Sequence, residues 1–447
     1  MNLKIFKHLV VVLMLVALVV IILGKAFFNT TPNLFLLIYG TAVTTMIFFL
    51  FLVSLGYRDP SEKIREKGLN KNMTLPFVSF VVAVRNEEKI IARCVDSMIN
   101  SDYENREIII VNDASTDNTS KILEKNYSRV SGVKIINLEK NVGKKRAIGT
   151  GLKIAKGEIF VFTDSDSVLA PDAVSRIIEI FVYDKNVGAV SGHGRALNSD
   201  ENLLTKIQDS WYHTQYSVKK AFESIFGAVT CVSGPLAVFR RSAVYNYIPA
   251  WENDKFLGAE FKFATDRQLT GYVLGSRFIG KKLKRKYKDS DFVKNENYPE
   301  RRWKIVYCRS AKVWTNIPNT FKKAIRQQIR WKKSFIRNLF FTGKFYWRKP
   351  VLPALKFYLG AIFVLVGPFI ALRHLIYLPM TGDIFSGVFY LGGIFFIGSL
   401  YGIIFKFENP DSHFWLYRPL MSIISTLIYS WLIFYSIFTI KRMVWHR

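Results

Sequence analysis

The chain is short of cysteine and of acid. Cys94, Cys231 and Cys308 are the only three cysteines in 447 residues. They stand far apart and form no CxxC pair, which argues against a disulfide framework or a thiolate zinc site and fits a reducing compartment. Acidic residues number 34 against 63 lysines and arginines, leaving a formal net charge of +29. No zinc-finger, helix-turn-helix or aromatic RNA-binding signature accompanies that excess, so nucleic acid is not an expected partner. The cations gather instead at 281–288 and 322–348, beside apolar runs, as a membrane surface obeying the positive-inside bias requires. A small-residue cleavage site is also missing after the first apolar run, so that run does not read as a signal peptide.

What the chain has in quantity is apolar sequence, in blocks. Half the residues are hydrophobic while 22% are charged, a mixture that fits separate membrane and soluble parts. Runs at 8–24 and 33–55 each come close to the ~20 residues needed to cross a bilayer, and together they read as a membrane hairpin. Three more runs lie near 352–373, 384–405 and 414–440. Gly360, Gly367, Gly392, Gly393, Gly398 and Gly402 within them are expected to let helices approach closely. The basic C-terminus should be cytosolic, which needs an even number of crossings after the soluble part. Three runs are present, so one is expected to be re-entrant or interfacial or to hide two short segments, and the last, broken by Arg418-Pro419, is the candidate. The expected boundaries are 1–57 for two transmembrane helices, 58–314 for a cytosolic domain, 315–350 for basic, aromatic-rich amphipathic helices at the interface, and 351–447 for the C-terminal membrane helices.

Between 75 and 310 short β-branched runs alternate with amphipathic stretches such as 87–100 and 116–126. The runs at 77–84, 107–113, 133–138, 158–166 and 187–194 predict strands of a parallel α/β sheet covered on both faces. Ligands of such sheets bind at the carboxyl ends of the strands, where this chain places Asn86-Glu87, Asn112-Asp113 and Asp164-Ser165-Asp166. Helix capping accounts for any one of these pairs, but three in succession on one sheet edge point to a site. Two carboxylates at i and i+2 past a strand can reach one cation and a ribose–diphosphate together. Mg²⁺ and similar hard ions favour that arrangement. A solvated turn or helix cap is the alternative reading.

The segments VRNEE, VNDASTDNT, NVGKKRA and DSD resemble family 2 glycosyltransferases. That resemblance implies an α/β GT-A-like (nucleotide-diphosphosugar transferase) domain, here inserted between transmembrane helices. It implies nucleoside contacts from Glu87 and Asp113, although Asn112 stands where many members have a first Asp. It also places Lys144 near the phosphates and gives Asp164 and Asp166 the nucleotide and an Mg²⁺ or Mn²⁺ ion. Further on, CVSGPL (Cys231, Ser233, Gly234, Pro235), the Asp266-Arg267 pair and the QxxRW element (Gln327, Arg330, Trp331) resemble the processive members that make cellulose, chitin and hyaluronan. The similarity is greatest to hyaluronan synthases and covers nearly the whole chain. Two departures bear on the product: Thr265 stands where those synthases usually have an acid, and the chain ends in VWHR (444–447) rather than Trp-Gly-Thr-Arg.

On this reading Asp266 is the general base. Arg330 and Lys144 stabilise the departing diphosphate, Trp331 stacks on the acceptor sugar, and Cys231 is a small residue lining the acceptor path. The expected partners are a UDP-sugar donor (UDP-GlcNAc, UDP-glucuronate or both), the growing polysaccharide and membrane lipid, with the catalytic domain on the cytosolic side of the plasma membrane. The rival readings are transfer of a single sugar to a lipid phosphate, a chitin- or cellulose-like synthase using one donor, and a non-enzymatic scaffold on anionic lipid. His193 and His213 lack partners at metal-ligand spacing and are expected to be structural.

Overall fold

The computed structural model describes residues 34–68, 74–263 and 265–442, with scattered positions between 12 and 23. The expected first membrane run at 8–24 lies largely outside the described residues, as does VWHR at the C-terminus. Helix α1 (Leu34–Leu55) leads through a short turn into α2 (Pro60–Lys67). Asp59 caps α2 by accepting from the Ser61 and Glu62 amides, with Pro60 at the first helical position, where its missing N–H costs nothing. The same carboxylate accepts from the Ser310 amide at 2.8 Å, which joins the end of the membrane helix to the soluble domain.

That domain is built on one sheet. Strands β1 (Val78–Val84), β2 (Arg106–Asn112), β3 (Val133–Asn137) and β4 (Ile159–Phe162) alternate with helices α3 (Ile91–Ile99), α4 (Thr119–Tyr127) and α5 (Lys144–Ile154). Then come β5 (Ser167–Leu169), α6 (Ala173–Tyr183), β6 (Val187–Ala196), α7 (Leu203–Thr214), β7 (Ala237–Arg240), the small hairpin β8 (Lys255–Phe256) and β9 (Ala259–Glu260), α8 (Thr265–Lys286) and β10 (Lys304–Thr315). The order across the sheet is β3-β2-β1-β4-β7-β6-β10-β5. Every residue of β1 is buried, as a strand covered on both faces must be. Its one polar side chain, Ser79, donates to Glu107 and accepts from the Gly157 amide at 2.8 Å.

The sheet departs from the parallel one expected. β1, β2, β3 and β4 run parallel, but β7 pairs antiparallel with both β4 and β6, and β5 antiparallel with β10. The reason is connectivity: β7 enters the sheet from the CVSGPL loop, whose Pro235 carbonyl accepts from Thr163 Oγ1 at 2.7 Å. The loop is thereby fastened to the carboxyl end of β4, and a strand starting there must run back against it.

Four helical segments among the described residues are long and apolar enough to cross a membrane: Leu34–Lys67, Val351–Met380, Ile384–Glu408 and Phe414–Phe438. Before the last three lies α9 (Phe321–Thr342), capped by Thr320. α11 (Ile384–Glu408) is a single α-helix, whereas the segment before it passes from α10 (Val351–Leu372) through a π-helical stretch (Arg373–Tyr377), and the last segment is divided into α12 (Arg418–Ile424), a π-helical stretch, and α13 (Leu432–Phe438). This last segment runs alongside the basic helix α9. Phe321 meets Tyr429 with ring centroids 6.3 Å apart, Ser436 Oγ donates to the Ile329 carbonyl at 3.5 Å, and Lys333 Nζ donates to the Thr439 and Arg442 carbonyls. The glycines expected to bring helices together divide as well. A Cβ on Gly398 would lie 2.6 Å from Pro419 Cα, and one on Gly402 would lie 2.7 Å from the Trp415 carbonyl. Gly360, Gly392 and Gly393 have nothing within 4 Å, and Gly367 only the Tyr39 hydroxyl at 3.7 Å, so among these six the close approaches are those of α11 to Trp415 and to Pro419 of α12.

Candidate active site

The strand-end residues converge as the sequence predicts, but the loops use many of their polar atoms on one another. Asn86 and Ala114 hold left-handed backbone (φ 54° and 53°) just past β1 and β2. The Asn86 side chain accepts from the Thr116 amide at 2.8 Å, and the Glu87 amide donates to Thr119 Oγ1 at 2.8 Å. Asn112 donates to Asn137 and accepts from the Ser115 amide, an organising role in the loop. Asp113 accepts from the Val142 and Gly143 amides at 2.7 and 3.0 Å. That carboxylate therefore braces the Asn-Val-Gly turn (Gly143 φ 86°) and sets the start of α5, where Lys144 is the first residue.

Lys144 points back across the strand ends and pairs with Asp164. Burial opposes its charge, but Asp164, then Asp166 and Asp266, outweigh it and hold its pKa above the ordinary lysine value. Asp166 accepts from Thr315 Oγ1 at 3.1 Å. Burial, then the neighbouring charges of Asp164 and Glu87, push its carboxyl up to about 6. Glu87, Asp164 and Asp166 thus gather at the strand ends, on the side of the cavity where Lys144 stands. The donors are hard carboxylate oxygens, two residues apart and lining an open cavity. That set fits a divalent cation that completes its shell with substrate phosphates and water.

The acceptor side is assembled by the CVSGPL loop against α8. Asp266 accepts from the Gly234 amide at 3.1 Å and from Cys231 Sγ at 3.6 Å. Thr270, one turn on, accepts from the Val232 amide at 3.0 Å. Burial, then Asp266, raises the Cys231 thiol to about 11, in keeping with its donating to Asp266. Gly234 also faces the donor side, since a Cβ there would sit 3.0 Å from Asp164 Oδ2.

The QxxRW element lies on α9. Gln327 Oε1 accepts from the Tyr212 hydroxyl at 3.0 Å. Trp331 stacks on Trp211 at 5.9 Å and meets Tyr212 edge-on at 5.6 Å. Glu87, Asp113, Lys144, Asp164, Asp166, Cys231, Ser233, Gly234, Pro235, Asp266, Arg267, Gln327, Arg330 and Trp331 all line one cavity of about 2030 Å³. It continues past the soluble domain to Val43, Met46, Leu50, Phe363, Val364 and Tyr401 of the membrane helices.

Several residues that shape the site were not singled out from the sequence. Asp254 accepts from Arg337 Nε of α9 at 3.1 Å and faces Lys145 at 3.5 Å. Lys145 in turn donates to Gln268 of α8 and to the Phe261 carbonyl. This buried cluster locks α5, α8 and α9 together under the site. The two histidines are structural, as expected, though not alone. His193 Nδ1 pairs with the Tyr307 hydroxyl, and His213 Nε2 lies 3.1 Å from Glu408 at the end of α11. Arg309 reaches the other oxygen of Glu408 at 2.8 Å. Each pairing spans from about 100 to nearly 200 positions in the chain, so no local signal announces it.

Comparison with known proteins agrees with this geometry. Residues 79–248 match the family model described as glycosyl transferase family 2. The chain is 25% identical to a hyaluronan synthase of Streptococcus pyogenes over 99% of its own length and 97% of that protein's. It is 32% identical to an N-acetylglucosaminyltransferase of Rhizobium meliloti over 60% of its length, spanning only 57% of that relative. A mannosyltransferase from Pyrobaculum calidifontis, solved with GDP-mannose and Mn²⁺, shares the fold with a TM-score of 0.50 at 18% identity, over 86% of this chain and 98% of that one.

Proposed function

We propose that this chain, whose residues 79–248 match the family 2 glycosyltransferase model, is a membrane-embedded, processive, inverting glycosyltransferase that polymerises sugars from nucleotide-sugar donors and passes the product into its membrane helices. The observation that carries the reading is the single cavity joining the strand-end acids and Asp266 to residues of α1, α10 and α11. A soluble transferase, or one that releases each product to water, needs no such continuation.

The donor diphosphate lies between Lys144 and Arg330, with the nucleoside toward Glu87 and Asp113. The acceptor hydroxyl attacks the anomeric carbon from the side of Asp266, whose carboxylate takes the proton as the new C–O bond forms. The old C–O bond breaks with its electron pair going to the diphosphate, whose growing charge Lys144 and Arg330 stabilise. One displacement inverts the centre and needs no second carboxylate nucleophile. Asp164 and Asp166 would hold a divalent ion, which supplies further stabilisation of diphosphate charge when bound. Trp331, braced by Trp211 and Tyr212, offers an aromatic edge to the acceptor ring.

A topology with an interfacial last segment is supported by its contacts. The last apolar segment lies against basic helix α9 from Phe321 to Lys333, and Arg418 at its start donates to Thr214 of the sheet-bearing domain at 3.1 Å. On this reading both ends of the segment lie on the side of that domain, the segment rests in the interface, and α10 and α11 supply the even number of crossings. Transfer of a single sugar to a lipid phosphate is the second reading, supported by the extension of the cavity to the apolar Phe357, Phe363 and Val364 of α10, against which a lipid chain could lie. The test is sugar-dependent release of free nucleotide by purified protein. It should occur with UDP-sugars and vanish in Asp266→Asn while nucleotide binding persists. Undiminished release by Asp266→Asn would refute the assignment of the base.

A further inference from the structure

The small hairpin beside α9 carries an apolar residue at its tip. Its strands pair Lys255 with Glu260 and Phe256 with Ala259, which leaves Leu257 and Gly258 as the turn. Both have left-handed backbone, φ 51° and 82°, the pattern of a type I′ turn, for which Asn-Gly and Asp-Gly are the favoured sequences. Leucine is unfavourable there on two counts. Its Cβ disfavours positive φ, and the side chain is 60% exposed. A Cβ on Gly258 would meet nothing within 4 Å, so no described residue covers that side of the tip.

The base of the hairpin is firmly held. Arg337 of α9 donates to Asp254 at 3.1 Å, the Phe261 amide to the Asp254 carbonyl at 2.9 Å, and Lys145 to the Phe261 carbonyl at 2.8 Å. Phe256 turns toward α9, with its ring 5.7 Å from that of Phe340, and Phe340 is itself 61% exposed. Phe256 and Phe261 share an apolar cluster with Ile336 of α9, Val364 of α10 and Ile433 of the last segment. Val364 and Ile433 lie in two of the segments long and apolar enough to cross a membrane. The hairpin is therefore continuous with the surface that those segments present to lipid.

We propose that Leu257, with Phe340 beside it, enters the boundary between headgroups and acyl chains, and that the hairpin anchors the segment before Asp266 to the bilayer. Lipid is the occupant that the surroundings favour. The cluster beneath the tip is shared with two candidate spans, and exposed Lys255 can reach headgroups while Leu257 sits deeper. A two-residue tip is also far smaller than the ~1,000 Å² that a stable protein interface needs. Trp251 Nε1 donates to the Thr265 carbonyl at 2.8 Å, so the chain from 251 to 265 closes at the start of α8, next to Asp266. An anchored tip thereby fixes how far that helix start stands from the bilayer. The premise is the membrane placement of α9, and the reaction does not enter.

The test places the full-length protein in lipid discs with a nitroxide on Leu257→Cys. Its collisions are measured with oxygen, which concentrates among acyl chains, and with a water-soluble nickel chelate. Phe340→Cys and Arg285→Cys mark the membrane and water ends of the scale, and the labelled parent gives the background from its own cysteines. The expected result is that Leu257→Cys follows Phe340→Cys, with loss of nickel collisions and a gain in oxygen collisions relative to Arg285→Cys. Nickel collisions equal to those of Arg285→Cys overturn the proposal. Shielding from both reagents also overturns it, because protein would then cover the tip. If Phe340→Cys is shielded from nickel and Leu257→Cys is not, this inference alone fails. If both meet nickel freely, the membrane placement of α9 fails with it. UDP binding reports that each variant is folded. Should Leu257→Cys not bind UDP, Leu257→Trp takes its place, in lipids brominated on the upper acyl carbons, the depth of roughly 5–10 Å that interfacial apolar side chains reach. Quenching beyond that of the parent is then expected, and none overturns the proposal.

Discussion

The Gly234 amide donates to Asp266 Oδ2 at 3.1 Å. The same residue packs its open Cα face against Asp164, so a single glycine separates the group assigned to the acceptor from the group assigned to the donor. Only a residue without a side chain fits between them, because a Cβ would stand 3.0 Å from Asp164 Oδ2, and Asp164 is held by Lys144. Gly234→Ala should therefore displace Asp164 or the loop by a few tenths of an ångström. A misplacement of about 1 Å at reacting centres costs ~100-fold in rate, so a shift of this size should cost less than that. The expected result is a fall in kcat with nucleotide affinity changed much less, checked by steady-state kinetics beside equilibrium UDP binding.

The base and the acid pair are separable. Asp266→Asn keeps the shape and removes the proton acceptor, so turnover should drop by ~10²–10⁴ while UDP binding is retained. Asp166→Ala should abolish stimulation of activity by Mg²⁺ or Mn²⁺. An Asp166→Ala protein that is still stimulated by the ion would contradict the placement of the cation. Titrating each ion against nucleotide release in both variants makes the distinction.

The buried cluster beneath the site has a sharper signature in stability than in rate. Asp254 answers both Arg337 and Lys145, and its side chain is 4% exposed. Removing one partner of a buried pair costs roughly 3–5 kcal/mol. Asp254→Ala should lower the melting temperature far more than Glu260→Ala on the neighbouring hairpin, whose pairing with Arg146 is exposed. Thermal melts in one detergent compare the two.

Glu252 provides a pH test. Burial raises its carboxyl to about 7, against the partial relief of Lys153 and Arg146. A carboxyl whose folded value is raised favours the folded state fully below its unfolded value, and that contribution is lost as pH climbs toward 7. The wild type should lose roughly 1–3 kcal/mol of stability between pH 4.5 and pH 7.5 through this group. Glu252→Gln should flatten that limb and melt higher than wild type at pH 8. Melting curves across that range decide it, and identical slopes would contradict the account.

Packing between α11 and α12 gives a paired control. Gly398→Ala drives a Cβ onto the Pro419 backbone, whereas Gly392→Ala meets open space. The first should destabilise the membrane part and the second should be neutral or mildly stabilising, as read by melting in detergent.

Much of this was legible in the sequence because it is local. The β-branched runs became strands at nearly the expected positions. Glu87, Asp113, Asp164 and Asp166 sit at strand ends that the alternation of runs already marked, and the basic stretch before the C-terminal runs became α9. What was not legible depends on distant partners. The antiparallel insertion of β7 follows from Thr163 holding the Pro235 carbonyl, a contact across 72 positions. The attachment of α11 through Glu408 to His213 and Arg309 is equally remote. Lys219 and Lys220 look like ordinary surface lysines in the sequence, and only the π-helical turn Gln215–Lys220 directs both into the cavity. Asp113 shows the reverse case: its position was read correctly, but its brace on the Val142–Gly143 turn was not.

The most direct measurement is product size. Full-length protein in detergent or lipid discs would receive UDP-GlcNAc, UDP-glucuronate and the two together with a divalent ion, and the products would be run on a sizing gel beside Asp266→Asn. A long polymer, absent with Asp266→Asn and formed when both donors are present, is the result this account predicts. A single sugar attached to lipid, with no polymer under any donor combination, would contradict it.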